Sequence, residues 1–311
     1  MEHLISINDL GRAGIERILD RADEFGGVAA REVQKVPALR GRLVVNLFYE
    51  ASTRTTSSFE LAAKRLSADV ITVRSEGSSV EKGESLKDTI ATLDAYDPAV
   101  IVMRHPRAGS AALATRWTDA AVVNAGDGAH AHPTQALLDT QTLRTHLGSL
   151  EGCSIWIVGD IAHSRVARST AAAFTLMGAR VTLCGPPTLV PPMIDNALGC
   201  TVTHDLAGLG EADVVYALRM QHERMRGGDV PSLREYSARF RVGLERMRPG
   251  QVLMHPGPVN RGVEVTGAAV DSAASLIPRQ VSAGVAVRMA VLYELVAGAE
   301  RAHPAGGEVA A

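Results

Sequence analysis

Short apolar segments rich in β-branched residues alternate along the chain with segments whose apolar positions recur at helical spacing. The first kind predicts strands at residues 43–48, 70–73, 100–103, 122–124, 154–158, 180–183, 213–218 and 251–254. The second kind predicts helices at residues 10–25, 57–66, 85–96, 134–147 and 165–177. Because strands alternate with helices, the pattern indicates parallel sheets with right-handed crossovers. The expected class is therefore doubly wound α/β.

The length of 311 residues is enough for two domains that each bury a core. Residues 134–147 contain no Gly or Pro and are predicted to connect the domains. We expect a first domain at residues 1–133, a second at 134–281, and a helix at 282–298 that completes the first. Residues 299–311 are small and polar, which predicts a flexible tail. The expected architecture is two doubly wound parallel-sheet domains of similar size, joined by helices.

Composition and charge exclude several classes of protein. With 32 Lys and Arg against 34 Asp and Glu, there is no electrostatic reason to expect nucleic acid or an anionic membrane as partner. The first residues lack a signal-peptide pattern, and the most apolar stretch, residues 281–296, contains Arg288 and Glu294. Three cysteines without C-x-x-C spacing do not indicate a disulfide framework or a zinc ribbon. We expect a cytoplasmic protein.

Polar and basic residues follow six of the predicted strands. Four of these six clusters contain arginine, and ligands of open α/β sheets bind beyond the carboxyl ends of the strands. The sequence therefore predicts an anion-binding crevice shared by both domains. The clusters are Ser52-Thr53-Arg54-Thr55, Arg104-His105-Pro106, His132-Pro133-Thr134-Gln135, Ser164-Arg165, Arg219 with Gln221, and His255-Pro256-Gly257-Pro258.

The first cluster, Ser52 to Thr55, is predicted to open the helix that continues through Ser58 to Leu61. Hydroxyls and backbone N–H groups at a helix N-terminus favour a phosphate, and Arg54 can add a bidentate contact. An ordinary Ser/Thr cap beside a surface arginine is the alternative. Neither the Walker pattern nor G-x-G-x-x-G occurs in the chain.

Other polar residues also have two interpretations. His130 and His132 have no carboxylate or cysteine nearby to complete a metal site, so no metal is predicted. His132 suits a hydrogen-bond donor to a ligand, although a structural histidine is an alternative. Each strand-end arginine, Arg104, Arg165 or Arg219, could equally form a structural ion pair.

Four motifs together resemble the aspartate/ornithine carbamoyltransferase family. They are Phe48-Tyr49-Glu50-Ala51-Ser52-Thr53-Arg54-Thr55, Met103-Arg104-His105-Pro106, His132-Pro133-Thr134-Gln135 and His255-Pro256-Gly257-Pro258. Residues 77–85, 158–165 and 218–224 resemble the aspartate-using branch, and the last of these lacks the Ser-Met-Gly signature of ornithine-specific relatives. The resemblance implies carbamoyl transfer from carbamoyl phosphate to the α-amine of L-aspartate. The products would be N-carbamoyl-L-aspartate and phosphate, in pyrimidine (UMP) biosynthesis and without a cofactor.

The resemblance also implies roles for individual residues. It assigns carbamoyl phosphate binding to Ser52, Thr53, Arg54, Thr55, Ser78, Arg104, His132, Gln135, Pro256, Gly257 and Pro258. It assigns aspartate binding to Lys82, Arg165, Arg219 and Gln221. The implied catalytic residues are Arg54, Thr55, Lys82, Arg104, His132 and Gln135. Thr55, Arg104 and His132 would point at the carbonyl oxygen. Gln135 and the backbone carbonyls near Pro256 and Gly257 would accept from the carbamoyl NH2.

In the family Ser78 and Lys82 reach the active site of the adjacent subunit, which implies a catalytic homotrimer. The sequence leaves open whether regulatory or dihydroorotase subunits bind that trimer. Thr56 and Ala283 stand where relatives commonly carry Arg and Asn. A carbamoyltransferase for another amino acid or amine therefore stays an alternative, as does a non-catalytic scaffold subunit.

Overall fold

The chain forms two compact units, each with its own parallel sheet. The structure is a computed structural model that describes residues 1–75, 83–221 and 232–302. Unit 1 comprises the described residues of Met1–Gly128, His132–Thr134 and Gly284–Ala311. Unit 2 comprises those of Ala129–Ala131 and Gln135–Ala283.

Unit 1 contains a four-stranded parallel sheet in the order β2-β1-β3-β4. The two central strands are the most apolar, because both of their faces are covered. Val45 and Leu47 of β1 pack with Ile101 of β3 and with Ile90 and Leu93 in the buried core. The elements are α1 (Gly11–Gly26), β1 (Leu43–Phe48), α2 (Thr53–Arg65), β2 (Asp69–Arg74), α3 (Leu86–Asp94), β3 (Val100–His105), α4 (Ser110–Ala114) and β4 (Ala121–Asp127).

Unit 2 contains a five-stranded parallel sheet in the order β7-β6-β5-β8-β9. Val158, Val215 and Leu253 from its central strands pack with Tyr236 and Phe240. The remaining elements, in chain order, are α5 (Pro133–Leu147), β5 (Ser154–Val158), α6 (Arg165–Leu176), β6 (Arg180–Cys184), α7 (Ile194–Leu198), β7 (Thr201–Thr203), β8 (Val214–Ala217), α8 (Leu233–Phe240), β9 (Val252–Met254), α9 (Gly267–Val270) and α10 (Ile277–Ala302). Helices α5 and α10 carry the chain between the two units.

The two parallel sheets with their helices confirm the predicted α/β class. All eight predicted strands are present, with ends that differ by up to three residues, whereas β7 and the short helices α4, α7, α8 and α9 were not predicted. Helix α2 begins at Thr53, so the cluster Ser52 to Thr55 lies at its N-terminus as predicted, ahead of the helical pattern at residues 57–66. Helix α10 begins at Ile277 rather than at residue 282 and continues to Ala302, so the first residues of the predicted tail are helical.

Helix α10 is long and apolar enough over Ile277–Gly298 to cross a membrane by length and composition alone. However, 56% of its most apolar window is buried inside the protein. Glu294 is also buried in unit 1, where its carboxylate lies 3.4 Å from Nε of Arg17 and 3.3 Å from Nε of Arg21. A mostly buried helix with an ion-paired glutamate is typical of a domain core.

We expect the side chain of Phe59 to stabilise unit 1 strongly. Phe59 is fully buried in α2, and the guanidinium of Arg288 lies 5.0 Å from the centre of its ring. Replacing it by alanine removes both the burial and this cation–π contact. The Phe59→Ala change should lower the free energy of unfolding by about 3–5 kcal/mol.

Urea denaturation of the variant and of a matched control measures this loss. The control is Leu61→Ala, since Leu61 lies on the same helix and is 41% exposed. Similar losses for the two variants would contradict the packing described for α2.

Candidate active site

Within the part of the chain that the structure describes, the side chain of Ser52 does not cap the N-terminus of α2. Ser52 precedes the helix but makes no capping hydrogen bond, and the first turn has no acidic residue. The starts of α3 and α6 differ, since the side chains of Ser85 and Ser164 accept from helix N–H groups there. Ser52 is therefore not an ordinary serine cap. The start of α2, with exposed Arg54 in its first turn, has the features of an anion site.

Arg104 lies near the end of β3, in register with Phe48 at the end of β1. Its backbone carbonyl accepts from the N–H of Tyr49 at 2.8 Å, and its Nε lies 3.3 Å from Oε2 of Glu50. Arg104 thus forms an ion pair, which was one of the two alternatives for this residue in the sequence. The pair holds this guanidinium beside the segment that leads from β1 to Ser52.

The residues after Arg104 join the ends of β3 and β4. Nδ1 of His105 accepts from the N–H of Arg107 at 3.0 Å, and burial lowers the pKa of His105, so this ring is held neutral. The N–H of Gly128 donates to the carbonyl of His105 at 2.9 Å. Gly128 has φ +50°, and a Cβ there would lie 2.7 Å from the nitrogen of Ala108. Only glycine fits this contact between the two strand ends.

His132 and Gln135 come at the start of α5, where the chain changes unit. His132 is buried and belongs to unit 1, whereas Gln135 lies in the first turn of α5 and belongs to unit 2. The Nε2 group of Gln135 donates to Oδ1 of Asp139 at 2.9 Å. This bond leaves the carbonyl end of the Gln135 amide as the end that can accept from a ligand.

Asp139 is a fully buried carboxylate with four hydrogen-bond donors. Oδ1 accepts from Gln135 and, at 2.7 Å, from Nε2 of Gln280. Oδ2 accepts from the hydroxyl of Tyr216 at 2.7 Å and from that of Thr170 at 3.2 Å. Burial raises the pKa of Asp139 to about 6, although these four bonds favour the charged form. Asp139 is not among the residues predicted from the sequence, where its only signal is its i+4 spacing from Gln135.

The segment His255-Pro256-Gly257-Pro258 follows β9 and is anchored from two sides. The N–H of His255 donates to Oε1 of Gln280 at 3.0 Å, and Nδ1 of His255 accepts from the N–H of Gly257 at 2.8 Å. Because Nδ1 accepts, the proton of a neutral ring is on Nε2, which lies 3.3 Å from Oε1 of Glu264. These bonds fix the backbone of the turn that the resemblance assigns to the carbamoyl group.

The two side chains predicted to bind aspartate after β8 contact each other. Nη2 of Arg219 donates to Oε1 of Gln221 at 3.0 Å. The backbone N–H of Gln221 lies 3.3 Å from Oδ2 of buried Asp160, which follows β5 and also contacts His163 at 2.9 Å. The structure therefore connects the ends of neighbouring strands β5 and β8 through Asp160.

Arg165 is the first residue of α6, which comes after β5, and it is buried. Gly159, at the end of β5, has φ +139°, and a Cβ there would lie 2.9 Å from the carbonyl oxygen of Leu218. This close approach keeps β5 and β8 together at the ends that carry Arg165 and Arg219.

Some predicted residues lie outside the part of the chain that the structure describes. They are Ser78 and Lys82, together with residues 222–224 of the segment that resembles the aspartate-using branch. Among the described residues, no group of three or more His, Cys, Asp or Glu side chains could hold a metal ion.

Two family models match the chain over most of its length. Residues 2–145 match the model described as aspartate/ornithine carbamoyltransferase, carbamoyl-P binding domain. Residues 151–295 match the model of the Asp/Orn binding domain of the same family. The chain belongs to the aspartate/ornithine carbamoyltransferase family. The resemblance inferred from the four motifs is thereby confirmed.

Curated relatives and solved structures agree with this membership. The aspartate carbamoyltransferase catalytic subunit of Salinispora arenicola is 54% identical over 307 residues, which cover 97% of this chain and 100% of the relative. That of Thermobifida fusca is 53% identical over 96% of each chain. Aspartate transcarbamoylase of Trypanosoma cruzi, in complex with N-(phosphonacetyl)-L-aspartic acid, has a TM-score of 0.85 at 32% identity, with 94% of this chain and 95% of that one covered. The catalytic subunit from M. jannaschii has a TM-score of 0.85 at 35% identity, with 96% and 99% covered.

The raised pKa of Asp139 predicts a pH-dependent stability. Its pKa of about 6 in the folded protein exceeds the value of an unfolded aspartate, about 3.9, so the folded state binds more protons between these values. Stability is therefore lost as the pH rises from about 4 to about 6, by on the order of 3 kcal/mol relative to Asp139→Asn.

Urea unfolding of the wild type and of Asp139→Asn across this pH range measures the difference. The free energy of unfolding of the wild type relative to Asp139→Asn should fall as the pH rises, and should level off above about pH 6. A difference that stays constant between these pH values would show that Asp139 keeps an ordinary pKa.

Proposed function

We propose that the protein transfers the carbamoyl group of carbamoyl phosphate to the α-amine of L-aspartate, as a step of pyrimidine biosynthesis. The observation that carries the proposal is the arginine pair of unit 2. Arg219 follows β8 and is bonded to Gln221, and Arg165 begins the helix after neighbouring strand β5. An acceptor with two carboxylates needs two cations, and these strand ends supply them.

The phosphate of carbamoyl phosphate is proposed to bind at the start of α2. The backbone N–H groups of the first turn, the hydroxyls of Ser52, Thr53 and Thr55 and the guanidinium of Arg54 offer donors for a dianion there. Arg104 adds a second cation from the end of neighbouring strand β3. All of these residues belong to unit 1.

The carbonyl oxygen gains negative charge when the amine attacks. Thr55, Arg104 and His132 are the donors proposed for this oxygen, and one such donor is worth about 2.7–4 kcal/mol in enzymes where it has been removed. The new C–N bond forms, the C–O bond to phosphate breaks, and the departing phosphate takes the proton that the amine loses. Much of the rate enhancement then comes from positioning and charge complementarity.

The same charges discriminate between the acceptors of the family. Aspartate carries a carboxylate on its side chain, which the arginine pair attracts, whereas the ammonium of ornithine would be repelled. Thr56 is buried in α2, and Ala283 lies in α10. Neither Thr56 nor Ala283 lies at the strand ends that carry Arg165 and Arg219, so neither difference from the relatives favours another acceptor.

Phosphate release from carbamoyl phosphate by the purified protein tests this activity. L-Aspartate is compared with L-asparagine, which lacks one carboxylate, and with L-ornithine, which carries the opposite charge. We expect release that depends on L-aspartate, with N-carbamoyl-L-aspartate identified as the product. Release only with another acceptor, or none from the folded protein, would contradict the proposal.

We also infer a cytoplasmic homotrimer in which Ser78 and Lys82 of one subunit serve the site of the next. This inference rests on the family motif in residues 77–85. Mixing inactive Lys82→Ala chains with inactive Arg54→Ala chains should restore activity, because about a quarter of the sites in an equal random mixture would be intact.

The controls are each variant taken alone through the same exchange, with mixed trimers verified by a tag on one variant. A mixed trimer that stays inactive would mean that both residues act within one chain.

A further inference from the structure

The buried carboxylate of Asp139 is connected to two elements of the proposed carbamoyl site but has no role in the proposed reaction. Asp139 contacts Gln135 directly and the segment His255 to Pro258 through Gln280. All of these residues belong to unit 2.

The two oxygens of Asp139 contact different parts of the unit. Oδ1 accepts only from glutamine amides, at 2.9 Å from Gln135 and 2.7 Å from Gln280. Oδ2 accepts from hydroxyls of the core, at 2.7 Å from Tyr216 and 3.2 Å from Thr170. Oδ1 therefore faces the proposed site residues, and Oδ2 faces the interior.

The bonds to Oδ1 decide which way each glutamine amide points. An amide NH2 can only donate, so the NH2 end of Gln135 must face Asp139 and its carbonyl end must face away. The same rule applies to Gln280, whose NH2 end faces Asp139 and whose Oε1 accepts the N–H of His255 at 3.0 Å. A single carboxylate oxygen thus orients the side chain of Gln135 directly and, through Gln280, the backbone of the turn after β9.

We propose that Asp139 is a positioning residue for the carbamoyl group, which it holds to one orientation by fixing the amide of Gln135 and the turn His255 to Pro258. The inference rests on the proposed function, since it is the carbamoyl NH2 that needs acceptors on this side. Burying a carboxylate is costly, and four donors offset that cost at Asp139. An apolar side chain could fill the same space but could not orient the amides.

Two ligands separate this role from a purely structural one. Carbamoyl phosphate carries the NH2 group, whereas inorganic phosphate shares only the part that is proposed to bind in unit 1. Loss of Asp139 should therefore weaken the binding of carbamoyl phosphate and leave that of phosphate unchanged. Titration calorimetry without aspartate measures both dissociation constants.

The comparison uses two disruptive variants, one control and the conservative variant Asp139→Asn. Asp139→Leu keeps the volume and removes both acceptors. Gln280→Met removes the bonds of Gln280 to Asp139 and His255 and leaves Gln135 bonded to Asp139. We expect each to raise the Kd for carbamoyl phosphate by about tenfold, equivalent to the loss of one or two hydrogen bonds. The control is Tyr216→Phe, which removes a donor from Oδ2 and should cost stability without changing the ratio of the two Kd values.

Asp139→Asn provides the conservative rescue. Its carbonyl can accept from both glutamines, and its NH2 can donate to the hydroxyls of Tyr216 and Thr170, because a hydroxyl can also accept. This variant should bind carbamoyl phosphate nearly as the wild type does.

The result that would overturn the proposal is a change of both Kd values together in Asp139→Leu and Gln280→Met, or no change in either. A selective loss in Tyr216→Phe would also overturn it. If Asp139→Leu does not fold, Gln280→Met decides. A wild type without aspartate-dependent turnover contradicts the proposed function as well, whereas an active wild type with unselective variants contradicts this inference alone.

Discussion

Parallel strands end along one edge of a sheet. In each unit, the residues at or after those ends include the arginines that are assigned to substrate binding. In unit 1, Arg54 follows β1 and Arg104 lies near the end of β3, and in unit 2, Arg165 and Arg219 follow β5 and β8. Both substrates are anions, so each unit must hold cations where backbone N–H groups are also available. The buried apolar strands supply the rigidity that lets short polar segments keep their positions.

Asp139 shows how the core of unit 2 bears on the site. A buried carboxylate would be expelled or protonated unless donors surround it, and Gln135, Gln280, Tyr216 and Thr170 provide them. Because two of those donors are glutamines, satisfying the carboxylate also fixes their amides. Stability of the interior and geometry at the end of β9 therefore depend on the same group.

Much of this arrangement follows from local sequence pattern. Strand β1 is apolar at five of its six positions, and Ser52 to Thr55 open a helical pattern, so both were predictable. Strand β7 has three residues, too few for an alternating pattern, and α8 is polar like the sequence that precedes it. The bond between Asp139 and Gln280 spans 141 residues, and no local pattern signals such a contact.

The assignment of phosphate to unit 1 and acceptor to unit 2 is the central claim, and carbamoyl phosphate binding without aspartate tests it most directly. Titration calorimetry would compare Arg54→Ala and Arg219→Ala with Lys64→Ala, an exposed cation at the far end of α2. We expect a loss of affinity of about tenfold or more in Arg54→Ala, because a charge-assisted pair is lost, and unchanged affinity in the other two variants. Unchanged binding in Arg54→Ala, or an equal loss in Arg219→Ala, would contradict it.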